Sequence, residues 1–201
     1  MIIVDVEATG PEFSKHSLLS IGAVDFDNPT NQFYGECRAW DGAHMNMDGL
    51  NVNGFTVEQA TDIKKQTDGE LVKAFIDWSM KVPNHTLAGQ NPSFDRDFIK
   101  DSAQRAGLDW PFAYRTIDQH TICYMHMIKR GIKPPVLNGR TDLNSDKIME
   151  YVGIPAEVHP HNALNGAKIE AEAMSRLLYD KKLIAEFESY EVPWLREDQK
   201  L

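Results

Sequence analysis

The chain opens with a short apolar run that two acidic residues interrupt. The apolar positions of residues 2–6 are all Ile or Val, which is typical of a buried strand. Asp5 and Glu7 share one face of that strand, because residues two apart point the same way. Their carboxylates repel each other unless a cation lies between them. The segment therefore predicts a site for a hard divalent metal ion at a strand end. The alternative is an exposed edge strand that carries two ordinary acids.

Further along the chain, the apolar pattern predicts strands first and then mostly helices. Strands are predicted over residues 18–26 and 32–38, joined by a turn at 27–31, so that three strands form a meander. Residues 40–56 have no clear periodicity and are predicted to be a loop. The remaining predicted elements are helices at 57–66, 70–80, 94–106, 119–129, 143–152 and 163–179, and short strands at 86–89 and 114–117. This order predicts an α/β fold with a mixed central sheet flanked by helices, the opening strand at its centre.

The charge balance narrows the range of partners. The chain has 21 basic and 30 acidic residues, for a formal net charge of −9. This argues against a protein that coats long nucleic acids, because such binding depends on neutralising many phosphates. It is compatible with an enzyme that binds a few terminal nucleotides and meets the phosphate with metal ions.

Length and cysteine content predict the domain organisation and the compartment. The 201 residues are enough for one well-packed domain, predicted over 1–188, with a C-terminal tail at 189–201 that packs through Trp194. Cys37 and Cys123 are too few for a disulfide framework, so a reducing cytoplasm is predicted. We expect no secretory signal and no membrane span, because no apolar stretch is long enough.

Two further segments carry candidate chemistry. A polar turn at 90–93 leads into a predicted helix with Asp95 and Asp97 near its start, where acids also serve as simple caps favoured by the helix dipole. His161 precedes the long helix predicted at 163–179. A histidine in such a position is either a surface residue or a proton acceptor near neutral pH.

Together these segments resemble the DEDDh family of 3′–5′ exonucleases, which includes proofreading subunits and RNase T and has a ribonuclease-H-like fold. Residues 4–10 match the first motif of the family, and residues 91–95 match the second, which makes Asp95 the third acid. Residues 161–164 match the start of the third motif. Residues 52–56 more weakly resemble the loop that contacts the terminal nucleotide.

One position departs from the family pattern. The family places an Asp five residues after the His, and this chain has Gly166 there. Glycine inside a helix costs about 1 kcal/mol relative to alanine, so its presence needs a reason. The last metal ligand has either been replaced deliberately to stop turnover or altered naturally. Glu170 lies one turn further on the same face, and we expect that displacement to be too large for it to reach the metal.

The resemblance implies a two-metal mechanism with Mg²⁺ or Mn²⁺. Asp5, Glu7 and Asp95 would be the metal ligands, and His161 the general base. The substrate would be single-stranded or 3′-overhang DNA or RNA, and its 3′ nucleotide would contact Ala8, Thr9 and Phe55. The reaction would release nucleoside 5′-monophosphates. The family habit also implies a homodimer. Without an acid at 166, we expect weak metal occupancy and a rate lower by orders of magnitude.

Two other functions remain open. The first is a non-catalytic module that binds nucleic acid or protein and has kept the fold without the chemistry. The second is a metal phosphoesterase that acts on small nucleotides and ignores the 3′ end of a polymer.

Overall fold

The computed structural model describes residues 1–197, with side chains described through residue 195. The strands of the main sheet are β1 (Ile2–Ala8), β2 (Leu18–Asp25), β3 (Gln32–Glu36), β4 (Leu87–Gly89) and β5 (Ile117–Asp118). A separate hairpin consists of β6 (Val136–Leu137) and β7 (Arg140–Thr141). The helices are α1 (Met47–Asn53), α2 (Val57–Ala60), α3 (Asp68–Ser79), α4 (Ser93–Arg105), α5 (Gln119–Lys129), α6 (Ser145–Val152), α7 (Ala163–Tyr179) and α8 (Pro193–Glu197), with a 3₁₀ turn at Ala185–Phe187.

The opening strand lies at the centre of a mixed sheet, as the sequence predicts. The strand order is β3-β2-β1-β4-β5. The pairs β1–β2 and β2–β3 are antiparallel, and the pairs β1–β4 and β4–β5 are parallel. Every residue of β1 is buried except the half-buried Asp5. The α/β fold is confirmed, and the alternative of an exposed edge strand is wrong.

The two faces of β1 pack against different helices. Val4 and Val6 lie in an apolar cluster with residues of α3 and α4. Ile3, on the opposite face, packs with Ala167 and Met174 of α7. Since side chains alternate along a strand, Asp5 and Glu7 share the α7 face with Ile3.

Helix α7 begins in direct backbone contact with the sheet. Gly22 of β2 lies opposite Asp5 in the strand register. A Cβ atom at Gly22 would overlap the backbone of Ala163, the first residue of α7. The absence of a side chain at Gly22 therefore lets the start of α7 lie on the sheet beside Asp5.

The predicted loop at 40–56 is wrong in its second half, where the structure has α1. The Asn46 side chain caps the helix by accepting the Gly49 N–H, and Gly54 ends it in the left-handed region with φ 72°. Only Leu50 and Asn53 are buried, so the segment has no apolar periodicity that could have revealed it. The predicted helix at 57–66 is also shorter, because α2 ends at Ala60.

Other elements agree more closely with the sequence. Helices α5 and α7 have the predicted bounds, whereas β5 begins three residues later than predicted. Trp194 is buried against Tyr151 and His126, which confirms its predicted packing. The last residues of the predicted tail, 198–201, lie outside the described residues, and the 1–188 boundary stays a prediction.

Two further findings concern the cysteines and membranes. Both cysteines are free and buried. Among the helices in the described part of the chain, none combines the length and the apolar character that a membrane crossing requires.

We predict that Arg176→Met lowers the free energy of unfolding by about 3–5 kcal/mol, because it leaves a buried charge unpaired. Arg176 is fully buried and pairs with Glu172 at 2.7 Å. It also donates to the backbone carbonyls of Val152, Phe187, Tyr190 and Glu191. Urea denaturation monitored by circular dichroism measures the change.

The control is Lys73→Ala, which removes an exposed ion pair with Asp77 and should cost less than about 1 kcal/mol. Equal losses in the two variants would show that the buried pair contributes nothing special to stability.

Candidate functional site

Three of the predicted acids come together where β1 meets α4. Asp5 and Glu7 point to the α7 side of β1. Asp95 lies in the first turn of α4, is 4% exposed, and accepts the Val6 N–H at 3.0 Å. Asp95 is therefore bonded to the backbone between Asp5 and Glu7, which is more than the role of a simple helix cap. Asp97 instead pairs with Arg96 at 2.8 Å.

Gly166 lies directly against Asp5. A Cβ atom built at Gly166 would overlap the Asp5 Oδ2. The Asp5 carboxylate thus occupies space that any side chain at 166 would need. Position 166 faces the acids, as the motif spacing predicts, but contributes no oxygen.

A fourth carboxylate, that of Glu170, reaches the same region from one turn further along α7. Glu170 is 7% exposed, and its Oε2 accepts the Gln90 N–H at 3.1 Å. A Cβ atom at Gly89 would lie 2.7 Å from that oxygen. Glu170 therefore fills a space over the end of β4, the strand next to β1.

Burial raises the pKa values of all four acids, and repulsion from neighbouring carboxylates raises those of Asp5, Glu7 and Glu170 further. Burial, followed by repulsion from Glu170 and Asp95, raises the pKa of Asp5 well above its ordinary range. Burial raises the pKa of Glu7 to about 8 and that of Asp95 to about 7. Burial and then repulsion from Asp95 raise the pKa of Glu170 well above its ordinary range.

The donor set fits a hard divalent cation by its chemistry. Carboxylate oxygens are the ligands that Mg²⁺ prefers, and a cation would relieve the repulsion between these acids. Within the described residues, no group of three or more His, Cys, Asp or Glu side chains is already arranged to hold a metal ion. Binding therefore requires the carboxylates to reorient.

His161 reaches the site through contacts with α1, the helix that the sequence did not reveal. The His161 N–H donates to the Val52 carbonyl at 2.9 Å. A Cβ atom at Gly54 would lie only 2.6 Å from Pro160 Cβ, so the segment before α7 packs closely on the end of α1. Helix α1 thus positions the residue that the motif predicts as general base.

Glu157 is a neighbour of His161 that the sequence analysis missed. Its Oε2 lies 3.6 Å from His161 Nδ1, and its Oε1 accepts the Asn162 N–H at 2.9 Å. Asn162 in turn caps α7. Glu157 lies in a loop without periodicity, so no signal in the sequence indicated this contact.

Two cavities lie on either side of Glu7. One, of about 220 Å³, is lined by Phe55, Lys65 and His161 among others. The other, of about 350 Å³, is lined by Ala8, Gly49 and other residues of the α1 region. Glu7 and Asn53 line both cavities. Asn53, also missed by the sequence analysis, donates from Nδ2 to the Ala8 carbonyl at 3.0 Å.

The three predicted substrate contacts have different surroundings. Ala8 lines the larger cavity, and Phe55 lines the smaller one with Lys65 Nζ 4.8 Å from its ring centroid. Thr9 is fully buried, and its hydroxyl donates to the His44 carbonyl and accepts the Ser17 N–H. The Thr9 side chain is therefore engaged in the fold, and its contact with substrate stays a prediction.

Comparison with known proteins gives one family match. Residues 1–178 match the model of a family described as the 3′-5′ exoribonuclease Rv2179c-like domain. No curated protein sequence is similar enough to this chain to count as a match.

Solved structures share the fold. The nuclease domain of 3′hExo, a DEDDh family member bound to rAMP, is 21% identical with a TM-score of 0.68, over 91% of this chain and 93% of that one. E. coli exonuclease I in complex with a dA16 oligonucleotide is 16% identical with a TM-score of 0.68, over 90% of this chain. The match spans only 40% of the exonuclease I chain. These similarities confirm the ribonuclease-H-like fold.

We predict that the metal-free protein is less stable at pH 8 than at pH 5. Acids with raised pKa values keep protons in the folded state that the unfolded chain has released. Stability therefore falls as the pH rises from the ordinary values of 3.8 and 4.5 toward about 7 for Asp95 and about 8 for Glu7. Urea denaturation in EDTA at several pH values measures this trend.

The Glu7→Gln variant should have a shallower pH dependence, and the exposed Glu150→Gln should not differ from the parent. A parent protein that gains stability between pH 5 and pH 8 would contradict the prediction.

Proposed function

Because the chain belongs to the family of 3′-5′ exoribonuclease Rv2179c-like domains, we propose that it is a metal-dependent exonuclease of the DEDDh type whose turnover is impaired by Gly166. The substrate is single-stranded or 3′-overhang DNA or RNA, and the product is a nucleoside 5′-monophosphate. The observation that carries this proposal is the grouping of Asp5, Glu7 and Asp95, with Glu7 lining two cavities and His161 lining one of them.

In this proposal the three acids hold the metal. Asp5, Glu7 and Asp95 would hold two Mg²⁺ or Mn²⁺ ions through carboxylate oxygens. Bound divalent cations make water a stronger acid and stabilise charge on phosphate oxygens. The negative net charge of the protein is compatible with this reaction, because bound cations would supply the positive charge that the phosphate requires.

His161 acts as the general base. It accepts the proton of the attacking water, whose oxygen bonds to phosphorus while the 3′ oxygen of the preceding nucleotide leaves. Glu157 near Nδ1 favours the tautomer with a proton on Nδ1, which leaves Nε2 free to accept.

The cavities give the 3′-terminal nucleotide a place beside Glu7. Ala8, Thr9 and Phe55 are the proposed contacts, and an aromatic ring stacking on a base contributes about 1–3 kcal/mol. The similar structures of 3′hExo and exonuclease I are bound to rAMP and to an oligodeoxynucleotide, respectively. These ligands support a nucleic-acid 3′ end as the substrate, whereas a small-nucleotide phosphoesterase would not need one.

Gly166 favours a second candidate function. With one anionic ligand missing, the same cavities could bind a nucleic-acid 3′ end without hydrolysing it. The chain would then be a binding module on the exonuclease fold.

The test is release of mononucleotide from a 5′-labelled single-stranded oligonucleotide, as DNA and as RNA, with Mg²⁺ or Mn²⁺. We expect Gly166→Asp to shorten the strand stepwise from its 3′ end, at least about 100-fold faster than the chain with Gly166, because removing one charge-stabilising group typically costs 10²–10³ in rate. His161→Gln in the Gly166→Asp background should abolish the gain.

Two outcomes would contradict the exonuclease proposal. Full activity of the chain with Gly166 would show that no ligand is missing. Tight oligonucleotide binding without hydrolysis by either protein would favour the binding module instead.

The proposal also covers the compartment and the assembly of the protein. The two free buried cysteines are compatible with a reducing cytoplasm. The homodimer implied by the family resemblance is tested by light scattering coupled to size-exclusion chromatography.

A further inference from the structure

Glu170 approaches the carboxylates from the side of β4. Helix α7 packs across both β1 and β4, which are parallel neighbours. Gly166 on this helix contacts Asp5 of β1, and Glu170, one turn later, contacts the end of β4 at Gly89. Adjacent strands are about 4.8 Å apart, close to the 5.4 Å rise of one helical turn. The step from 166 to 170 therefore runs across the sheet, from one strand to its neighbour, and stays at the sheet surface.

The space at Gly89 is shaped for this carboxylate. The Cβ position of Gly89 lies 2.7 Å from Glu170 Oε2 and 3.0 Å from the Val4 carbonyl. Any side chain at 89 would displace the Glu170 carboxylate from the seam between β1 and β4. Val4 is the residue before Asp5 in β1, so the Glu170 carboxylate lies beside the part of β1 that carries the first predicted metal ligand.

Among the residues whose side chains the structure describes, no basic group forms an ion pair with these four acids. Across the ion pairs of the residues that the structure describes, none joins Asp5, Glu7, Asp95 or Glu170 to Lys, Arg or His. The Glu170 carboxylate accepts one backbone N–H, from Gln90. Burying a carboxylate among other carboxylates is unfavourable without a cation. A structural role alone does not explain an acid at this position.

We infer that Glu170 replaces the missing ligand at 166 and binds a divalent cation together with Asp5 and Asp95. This inference rests on the metal site of the proposed function. It reverses the expectation from helix spacing alone, because that expectation took no account of α7 crossing from β1 to β4.

The inference predicts that Glu170 and an acid at 166 are alternatives. In the chain with Gly166, metal affinity should depend strongly on Glu170. In Gly166→Asp, the Asp5 carboxylate must rotate away from the new side chain, which then supplies an oxygen ligand. The metal affinity of this variant should depend only weakly on Glu170.

The experiment is isothermal titration of Mn²⁺ alone into four proteins: the chain, Glu170→Gln, Gly166→Asp and the double variant. We expect Glu170→Gln to weaken Mn²⁺ binding by about 10-fold or more in the chain with Gly166, and by less than about threefold with Gly166→Asp. Glu170→Met should behave like Glu170→Gln, and Glu150→Gln, on the exposed surface, should bind like the parent. Thermal unfolding in EDTA confirms that each variant is folded.

Each other result overturns the inference in a distinct way. Unchanged affinity in Glu170→Gln would make Glu170 a buried acid that only bonds to Gln90. Equal losses in both backgrounds would make it a general contributor to the negative potential, not a replacement ligand. Failure of all four proteins to bind Mn²⁺ would overturn the proposed metal site itself, whereas binding by Gly166→Asp alone would leave that site intact and remove only the role of Glu170.

Discussion

The repulsion among buried carboxylates is the constraint on which the rest of the site depends. The fold brings together four acids from a strand and two helices, namely Asp5, Glu7, Asp95 and Glu170. Repulsion among these acids raises the pKa values of Asp5, Glu7 and Glu170. The fold holds them against this repulsion by ordinary means, such as the apolar packing of β1 between helices and the bond from the Val6 N–H to Asp95. The packing of the core thus offsets the unfavourable repulsion among these carboxylates, which a bound divalent cation would relieve.

Much of this arrangement is predictable from local patterns. The Ile and Val run of β1 and the alternation of Asp5 and Glu7 along it identify the central strand and its acidic face. Helix α7 is predictable because Ala, Leu, Met, Glu and Lys, which favour helix, make up most of its residues. Asp95 and Gly166 follow from motif spacing, and their roles stay predictions. The comparison with known proteins confirms the family over residues 1–178.

The remainder depends on tertiary contacts that spacing does not encode. Helix α1 is short, has only two buried residues, and contains Gly and Asn, so its stability comes from its caps and from packing. The contact of Glu157 with His161 joins a loop to a helix start. The position of Glu170 follows from the direction in which α7 crosses the sheet, a property that no residue pattern within α7 specifies.

The contact of Gly22 with Ala163 has a consequence for the geometry of the candidate site. Gly22 lies opposite Asp5, and the peptide backbone that begins α7 rests on it, two residues after His161. The separation between the acidic strand and the histidine is therefore set by main-chain thickness, which no rotation of side chains can alter. A methyl group at Gly22 would lift the start of α7 and move His161 with it, although Gly22 itself carries no chemistry. Part of the precision of this site thus resides in a strand that supplies none of its functional groups.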